Sequence, residues 1–297
     1  MVQAARSCSS DAMAYIRRFC KNQEIMVFKG EPEIEGRFFY NDDMSGFNFG
    51  RLNSTFETML NLFASLAGSD EEPSYYIGST SVDLALPGFR AENDIALGAG
   101  NPLVSIWMGN RTRIAAHFDN PSNIACVAAG RRRFTVFPPE QLNNLYVGPL
   151  DFTPAGQAIS LVDFKQPDLQ RFPRFEEALQ HARVAELDPG DALYLPSLWW
   201  HHVEALDTFN VLVNYWWRDN ATIPGTPMDV LIYALLNIRG LSAADKQSWK
   251  KVFDHYIFDE QPGAFDHIPD ASLGILGDLD ATTTKQLRTI LRRKLEN

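Results

Sequence analysis

The chain has 297 residues, 45% of them hydrophobic, enough to bury a large core in one domain with helical additions or in two. Lys and Arg number 27 against 37 Asp and Glu, a formal net charge of -10 that repels phosphate backbones and anionic membrane surfaces, so nucleic acid is disfavoured as a partner. Three cysteines, Cys8, Cys20 and Cys126, give no metal-type pair and no even disulfide set, and no apolar run reaches signal-peptide length or the roughly 20 residues of a membrane helix, so a reducing cytoplasm is the expected location.

Residues 11–21 read as a short amphipathic helix, and IMVFKG at 25–30 reads as a strand ending at a glycine. Ser54 and Glu57 have the spacing of a capping box, and Phe56, Met59, Leu60, Phe63 and Leu66 form the apolar face of a helix over 55–67. From about 74 to 217 the texture changes to short runs rich in β-branched and aromatic residues: YYIGS, LVSIWMG, NIACVAA, RRFTVFP, ALYLP, HHVEAL and FNVLVNYWW. Turn signals at Pro87-Gly88, Gly109-Asn110 and Pro189-Gly190 punctuate them, which predicts a β-sandwich or barrel.

After Trp217 the pattern is helical again. Thr226-Pro227 places a cap and a proline at the first helical position, Ser242 and Asp245 repeat the capping-box spacing, and Trp249, Val252, Phe253 and Tyr256 share one face. A last helix over about 281–295 carries Leu287, Ile290, Leu291 and Leu295 and ends in basic residues, as the helix dipole favours. The expected organisation is N-terminal helices and a strand packing on a barrel (1–73), a β core (74–217) and a helical segment (218–297).

An iron that must also bind oxygen and a co-substrate needs few protein ligands, all on one side, which two histidines and a carboxylate provide. His117 and Asp119, two apart in HFD, would point to the same side of a regular strand, and a barrel can bring a distant residue onto the same inner wall. His201 and His202 are candidates for the third position; strand neighbours face opposite ways, so spacing leaves the choice between them open. Spacing alone favours the ordinary alternative, since His-x-Asp arises by chance and a histidine beside two tryptophans is more often a hydrogen-bonded core residue.

Taken together and in order, HFDN, GRRRFTVFPPEQLNNLYVGPL, PGDALYLPSLWWHHVEAL and NVLVNYWW resemble the cupin-type JmjC oxygenases, in particular their asparaginyl-hydroxylase branch. The similarity runs from about Tyr75 to Trp217 and is weaker in the helices that follow. It implies a mostly β chain with helical additions, a double-stranded β-helix (jelly-roll) enzyme using Fe(II), 2-oxoglutarate and O2. His117 and Asp119 become the first two iron ligands and His201 the third, which leaves His202 a supporting role. Where the family usually has a lysine for the far carboxylate of 2-oxoglutarate, this chain has Arg132, within Gly130-Arg131-Arg132-Arg133. Arginine can hold a carboxylate through two parallel hydrogen bonds but needs a differently shaped pocket.

By the same resemblance Asn123 and Asn214 help hold the co-substrate and Tyr76 lies near its carboxylate. Ile114 replaces a frequent threonine, so one polar contact is missing and the nearby Thr112 does not simply replace it. Arg131 and Arg133 should alternate away from Arg132. Trp199, Trp200, Trp216 and Trp217 are expected chiefly as packing, with one of each pair available to line a substrate mouth, and Met108, Cys126 and Phe137 are expected in the core. Relatives usually carry an N-terminal Pro and Trp-Pro signature that this sequence lacks, so its start is divergent or shortened, and in the latter case an outer strand would be missing.

The expected function is therefore Fe(II)- and 2-oxoglutarate-dependent hydroxylation of a C–H bond, in a protein or peptide side chain or a small molecule. One alternative is a metal-binding cupin-like protein without oxygenase activity, with Arg132 serving another anion. Another is an interaction scaffold whose C-terminal helices dimerise around an inert barrel. A homodimer through those helices, which carry an apolar stripe, is expected under any of these readings.

Overall fold

The seven β-rich runs each become a strand, and five further strands join them in the described residues of the computed structural model, 1–66, 72–98, 101–218, 226–259, 262–277 and 279–296. The strands are β1 (Glu24–Gly30), β2 (Arg37–Phe38), β3 (Phe49–Thr55), β4 (Ser74–Ser81), β5 (Leu103–Gly109), β6 (Arg113–His117), β7 (Ser122–Ala129), β8 (Arg132–Phe137), β9 (Arg183–Leu187), β10 (Ala192–Leu195), β11 (Trp200–Ala205) and β12 (Asn210–Trp217). The helices are α1 (Val2–Ser7), α2 (Ser9–Arg17), α3 (Phe56–Leu66), α4 (Val82–Ala85), α5 (Phe89–Asn93), α6 (Phe175–Gln180), α7 (Pro227–Asn237), α8 (Ala243–Phe253) and α9 (Ala281–Leu295). Two compact units result, residues 1–219 and 220–297.

In the first unit the larger sheet has the order β10-β7-β12-β5-β4-β1-β3 and the smaller β2-β6-β11-β8-β9. All pairings are antiparallel except β2 with β6. The alternation of each strand explains the packing between them. Ala125 and Val127 of β7, Leu195 of β10 and Leu212 of β12 meet Phe134 and Val136 of β8 and Val203 of β11 in one apolar cluster, so this core joins the two sheets. This is the jelly-roll expected of the sequence. A second core lies between the larger sheet and the helices, where Ala12, Met13 and Ile16 of α2 and Phe56, Met59, Leu60 and Phe63 of α3 pack with Val27, Ile77, Ile106 and Val213.

Two expectations change in detail. The helix over 11–21 is α2, which ends at Arg17 and is preceded by α1. At α3 the cap is Thr55 and not Ser54: the Thr55 hydroxyl accepts from the Thr58 N–H at 3.2 Å, while Ser54 stays in β3 opposite Ile25. Glu57 is drawn instead to Arg17 of α2. The strand thus runs straight into the helix, leaving Ser54 no freedom to cap; the expected end at Ala67 lies outside the described residues.

Gly130 makes the turn that delivers Arg132 to the interior. Its φ is +67°, and a Cβ there would lie 2.4 Å from both the Asn210 side-chain oxygen and the Phe209 carbonyl. Gly130→Ala is expected to destabilise the protein by roughly 1–3 kcal/mol, measured by denaturant unfolding, since neither the backbone conformation nor the space admits it.

In the second unit Thr226 and Asp229 form a reciprocal capping box on α7, Ser242 caps α8 and Asp280 caps α9. None of these three helices has a buried residue, and Leu231, Leu236, Trp249, Val252, Tyr256, Ile290, Leu291 and Leu295 are exposed. No helix of the described residues is long and apolar enough to cross a membrane.

Candidate functional site

β6 and β11 are antiparallel neighbours, and their register sets His117 directly opposite His201, with the rings 4.4 Å apart. Asp119 falls just beyond β6, which ends at His117, so the two-residue strand spacing is only part of its placement. The loop leading into β11 supplies the rest: the Asp119 carbonyl accepts from the Leu198 N–H at 2.9 Å, and the Ser197 hydroxyl donates to the Asn120 carbonyl at 2.5 Å. Ligand atoms of His117, Asp119 and His201 all lie within 4.8 Å of one another, and the Asp119 Oδ2 is 3.7 Å from the His201 Nε2.

Each histidine is fixed through its other nitrogen. His117 Nδ1 lies 2.9 Å from the Ala115 carbonyl and His201 Nδ1 lies 3.0 Å from the Trp199 carbonyl. A carbonyl can only accept, so both protons sit on Nδ1 and both Nε2 lone pairs are left for the centre. Burial, with His117 as a second cause, holds the His201 pKa well below its ordinary value, against the smaller opposing pull of Asp119. Two histidine ring nitrogens and an aspartate side chain thus converge, a group that fits an iron site.

His202 takes the other side of β11. Its ring packs 4.5 Å from that of Phe164, and burial pushes its pKa down to about 3. Replacing His202 with leucine is expected to leave metal content after reconstitution unchanged. A loss matching that of a His201 variant would contradict this placement.

Arg132 opens β8 and is 2% exposed, whereas Arg131 and Arg133 turn outward to Asp207 and to Glu186 and Glu204, as alternation predicts. The Arg132 Nε and Nη2 have no hydrogen-bond partner among the described residues. Burial lowers its pKa to about 10, so it stays charged at neutral pH. A buried cation without a counter-charge is costly, and an anion bidentate on those two donors would relieve it. Tyr76 stands near it, with its phenol pKa raised by burial and the proton therefore available to donate. The Asn214 amide donates to Asn123 at 2.6 Å, and the Asn214 oxygen is a further buried atom without a partner.

One cavity of about 340 Å³ collects these groups: His117, Asp119, His201, Arg132, Asn123, Asn214 and Tyr76 all line it. Ile114 lines it too, where a threonine would have added a hydroxyl. Trp216 lines the cavity while Trp217 stacks outside on Tyr194; neither Trp199 nor Trp200 is part of the described lining, and Trp200 is buried in a separate cluster with Phe137. Met108 is fully buried and Cys126 packs against the helix-side core. The sequence reading missed Phe28, Phe38, Phe49 and Trp107 on the lining. For Phe28 the strand IMVFKG was the available signal, but nothing in that run says that β1 reaches the site.

A model of the cupin-like domain family matches residues 1–223. Among curated proteins the chain is 33% identical over 120 residues to "Lysine-specific demethylase JMJ31" of Arabidopsis thaliana, covering 39% of this chain and 21% of that protein. It is 34% identical over 114 residues to human "HSPB1-associated protein 1" (38% and 23% covered) and 34% identical over 102 residues to "tRNA wybutosine-synthesizing protein 5" of Danio rerio (34% and 28% covered). The similarity thus spans only a fifth to somewhat over a quarter of these relatives' length.

Proposed function

The chain belongs to the cupin-like domain family of JmjC type, and from that premise we propose that it is an Fe(II)- and 2-oxoglutarate-dependent dioxygenase that hydroxylates a C–H bond. The observation that carries this reading is the pairing, in one cavity, of a His-Asp-His group with a buried arginine whose Nε and Nη2 have no partner among the described residues. A metal site alone suits many cupins; Arg132, the one Lys or Arg among the described lining residues, adds a place for an anionic co-substrate.

In this reading His117, Asp119 and His201 hold iron, and Arg132 takes the far carboxylate of 2-oxoglutarate with Tyr76 as a second donor. Bound iron and 2-oxoglutarate supply the oxidation, in which O2 is consumed, the keto acid becomes succinate and CO2, and a substrate C–H becomes C–OH. The chain's own contribution is geometric. The carbonyls of Ala115 and Trp199 keep both imidazoles turned with Nε2 inward, and the Asn123–Asn214 pair fixes polar groups beside the centre. Apolar residues of the cavity, Phe134, Leu195, Val203 and Leu212, exclude water from it.

The test is release of labelled CO2 from carboxyl-labelled 2-oxoglutarate by the iron-loaded protein in air. Release above that of an Asp119→Ala variant is expected. Release at the variant's level would favour a metal-binding cupin-like protein that lacks oxygenase activity.

The named relatives point to protein and RNA as substrate classes; the net charge of -10 favours a protein, peptide or small-molecule substrate here. The C-terminal helices supply a homodimer contact, because their apolar residues lie exposed in their own unit. Sedimentation is expected to give twice the chain mass, falling to a monomer when Leu231 and Leu236 are replaced by aspartate; a monomeric wild type would contradict the pairing.

A further inference from the structure

The cavity that holds the metal group also has a continuous aromatic wall. Phe49 meets Phe28 and Phe38 with ring centroids 5.1 and 5.4 Å apart, Phe38 meets Tyr76 at 5.8 Å, Tyr76 stacks on Trp107 at 5.9 Å, and Trp107 meets Trp216 edge-on at 5.9 Å. All six side chains line the same space as His117, Asp119 and His201. Pro154, Ala155 and Ile159 continue its apolar lining.

An aromatic wall alone suits two kinds of guest, a cation held by ring quadrupoles or an uncharged hydrocarbon. The surrounding charges decide between them. Among the described lining residues the one carboxylate is Asp119, already one of the metal group, so no anion is left to face a cationic guest. Arg132 lies on the same lining, and the Arg51 guanidinium already sits 5.4 Å over the Phe28 ring and 5.9 Å over Phe47. The Phe28 ring thus already has a cation over it, although Arg51 is exposed and outside the described lining, and Arg132 sets a like charge on the lining itself against a cationic guest. Arg51 is fixed there by a hydrogen bond to the Pro154 carbonyl at 3.1 Å.

We infer that the substrate group this cavity presents to the metal is an uncharged hydrocarbon group, aliphatic or aromatic, and not a methylated ammonium. The inference rests on the oxygenase reading and names the substrate class for it. An apolar peptide side chain and a free apolar small molecule both offer this chemistry.

The test compares neohexanol with choline, two molecules of the same shape that differ in a central carbon against a quaternary nitrogen. Calorimetric titration of the full chain, without metal and then with 2-oxoglutarate present, is expected to show neohexanol binding about tenfold or more tighter than choline in the ligand-free protein, the direction set by the like charge of Arg132 on the lining, and a smaller preference of the same sign once 2-oxoglutarate balances that charge. Arg51→Gln is expected to narrow that ratio, and an unchanged ratio would overturn the electrostatic cause. N-acetyl-leucinamide binding tighter than neohexanol assigns the group to a peptide, and weaker binding assigns it to a small molecule. Choline binding as well as neohexanol, or neither binding, would overturn the substrate class. None of these titrations needs iron or turnover. Failure of neohexanol while iron and 2-oxoglutarate still bind sinks the substrate class alone, and the converse sinks the oxygenase reading.

Discussion

Replacing His117 with alanine is expected to abolish iron retention and turnover while leaving the fold in place. The side chain is half-buried at the end of β6, and its backbone pairing with His201 does not depend on the ring. Removing one of three ligands should cost more metal affinity than the roughly 10–100-fold lost when only a ligand's supporting hydrogen bond is removed. Unfolding of the metal-free variant should stay within about 1 kcal/mol of the wild type, because the half-buried ring lines the cavity and belongs to no core cluster. Metal analysis after reconstitution and denaturant unfolding check the two halves separately. Iron retained at wild-type level would remove His117 from the site.

The second large effect concerns Arg132, whose two halves should move in opposite directions. Arg132→Met removes the one buried guanidinium that this reading uses, so 2-oxoglutarate binding should be lost. In the wild type, 2-oxoglutarate at about a hundred times its dissociation constant should stabilise the native state by roughly 2.7 kcal/mol, and the variant should show no such gain. The ligand-free variant should nonetheless be as stable as the wild type or more so, because a buried charge without a partner is replaced by an apolar chain of similar length. Thermal unfolding with and without 2-oxoglutarate reads both effects. A variant that loses stability in the absence of ligand would mean that Arg132 is a structural residue held by the fold itself.

The legibility of this chain varied with burial. Strands flanking the inter-sheet core were plain in sequence, because NIACVAA, RRFTVFP and FNVLVNYWW are dense in small, branched and aromatic residues that the two sheets enclose. β3 and β9 were not: FGRLNST and RVAEL lie at the outer edges of the two sheets, where partly exposed positions tolerate polar residues and blur the alternation. β6 was hidden by its composition, RIAAH having Ile114 as its one β-branched residue, although it carries His117. In the site, the order of blocks named His117, Asp119, His201, Arg132, Asn123, Asn214 and Tyr76, all on the lining, but not Phe28, Phe38, Phe49 or Trp107, and two features depend on the folded chain. Asp119 is positioned by the loop before β11 as well as by its spacing from His117, and the aromatic wall draws on β1, β2 and β3, more than fifty residues upstream of the metal group. The choice between His201 and His202 was likewise closed to spacing, since it depends on which face of β11 lines the cavity and which meets Phe164.

The central claim, that one cavity binds iron through His117, Asp119 and His201 and 2-oxoglutarate through Arg132, is tested most directly by anaerobic titration. The metal-free protein is titrated with Fe(II) and then with 2-oxoglutarate while the visible spectrum is followed. A weak, saturable absorption band that appears only after 2-oxoglutarate is added, and is absent from the Arg132→Met protein, is the predicted result. Iron binding with no band at any 2-oxoglutarate concentration would contradict the account and leave Arg132 as the anchor of some other anion.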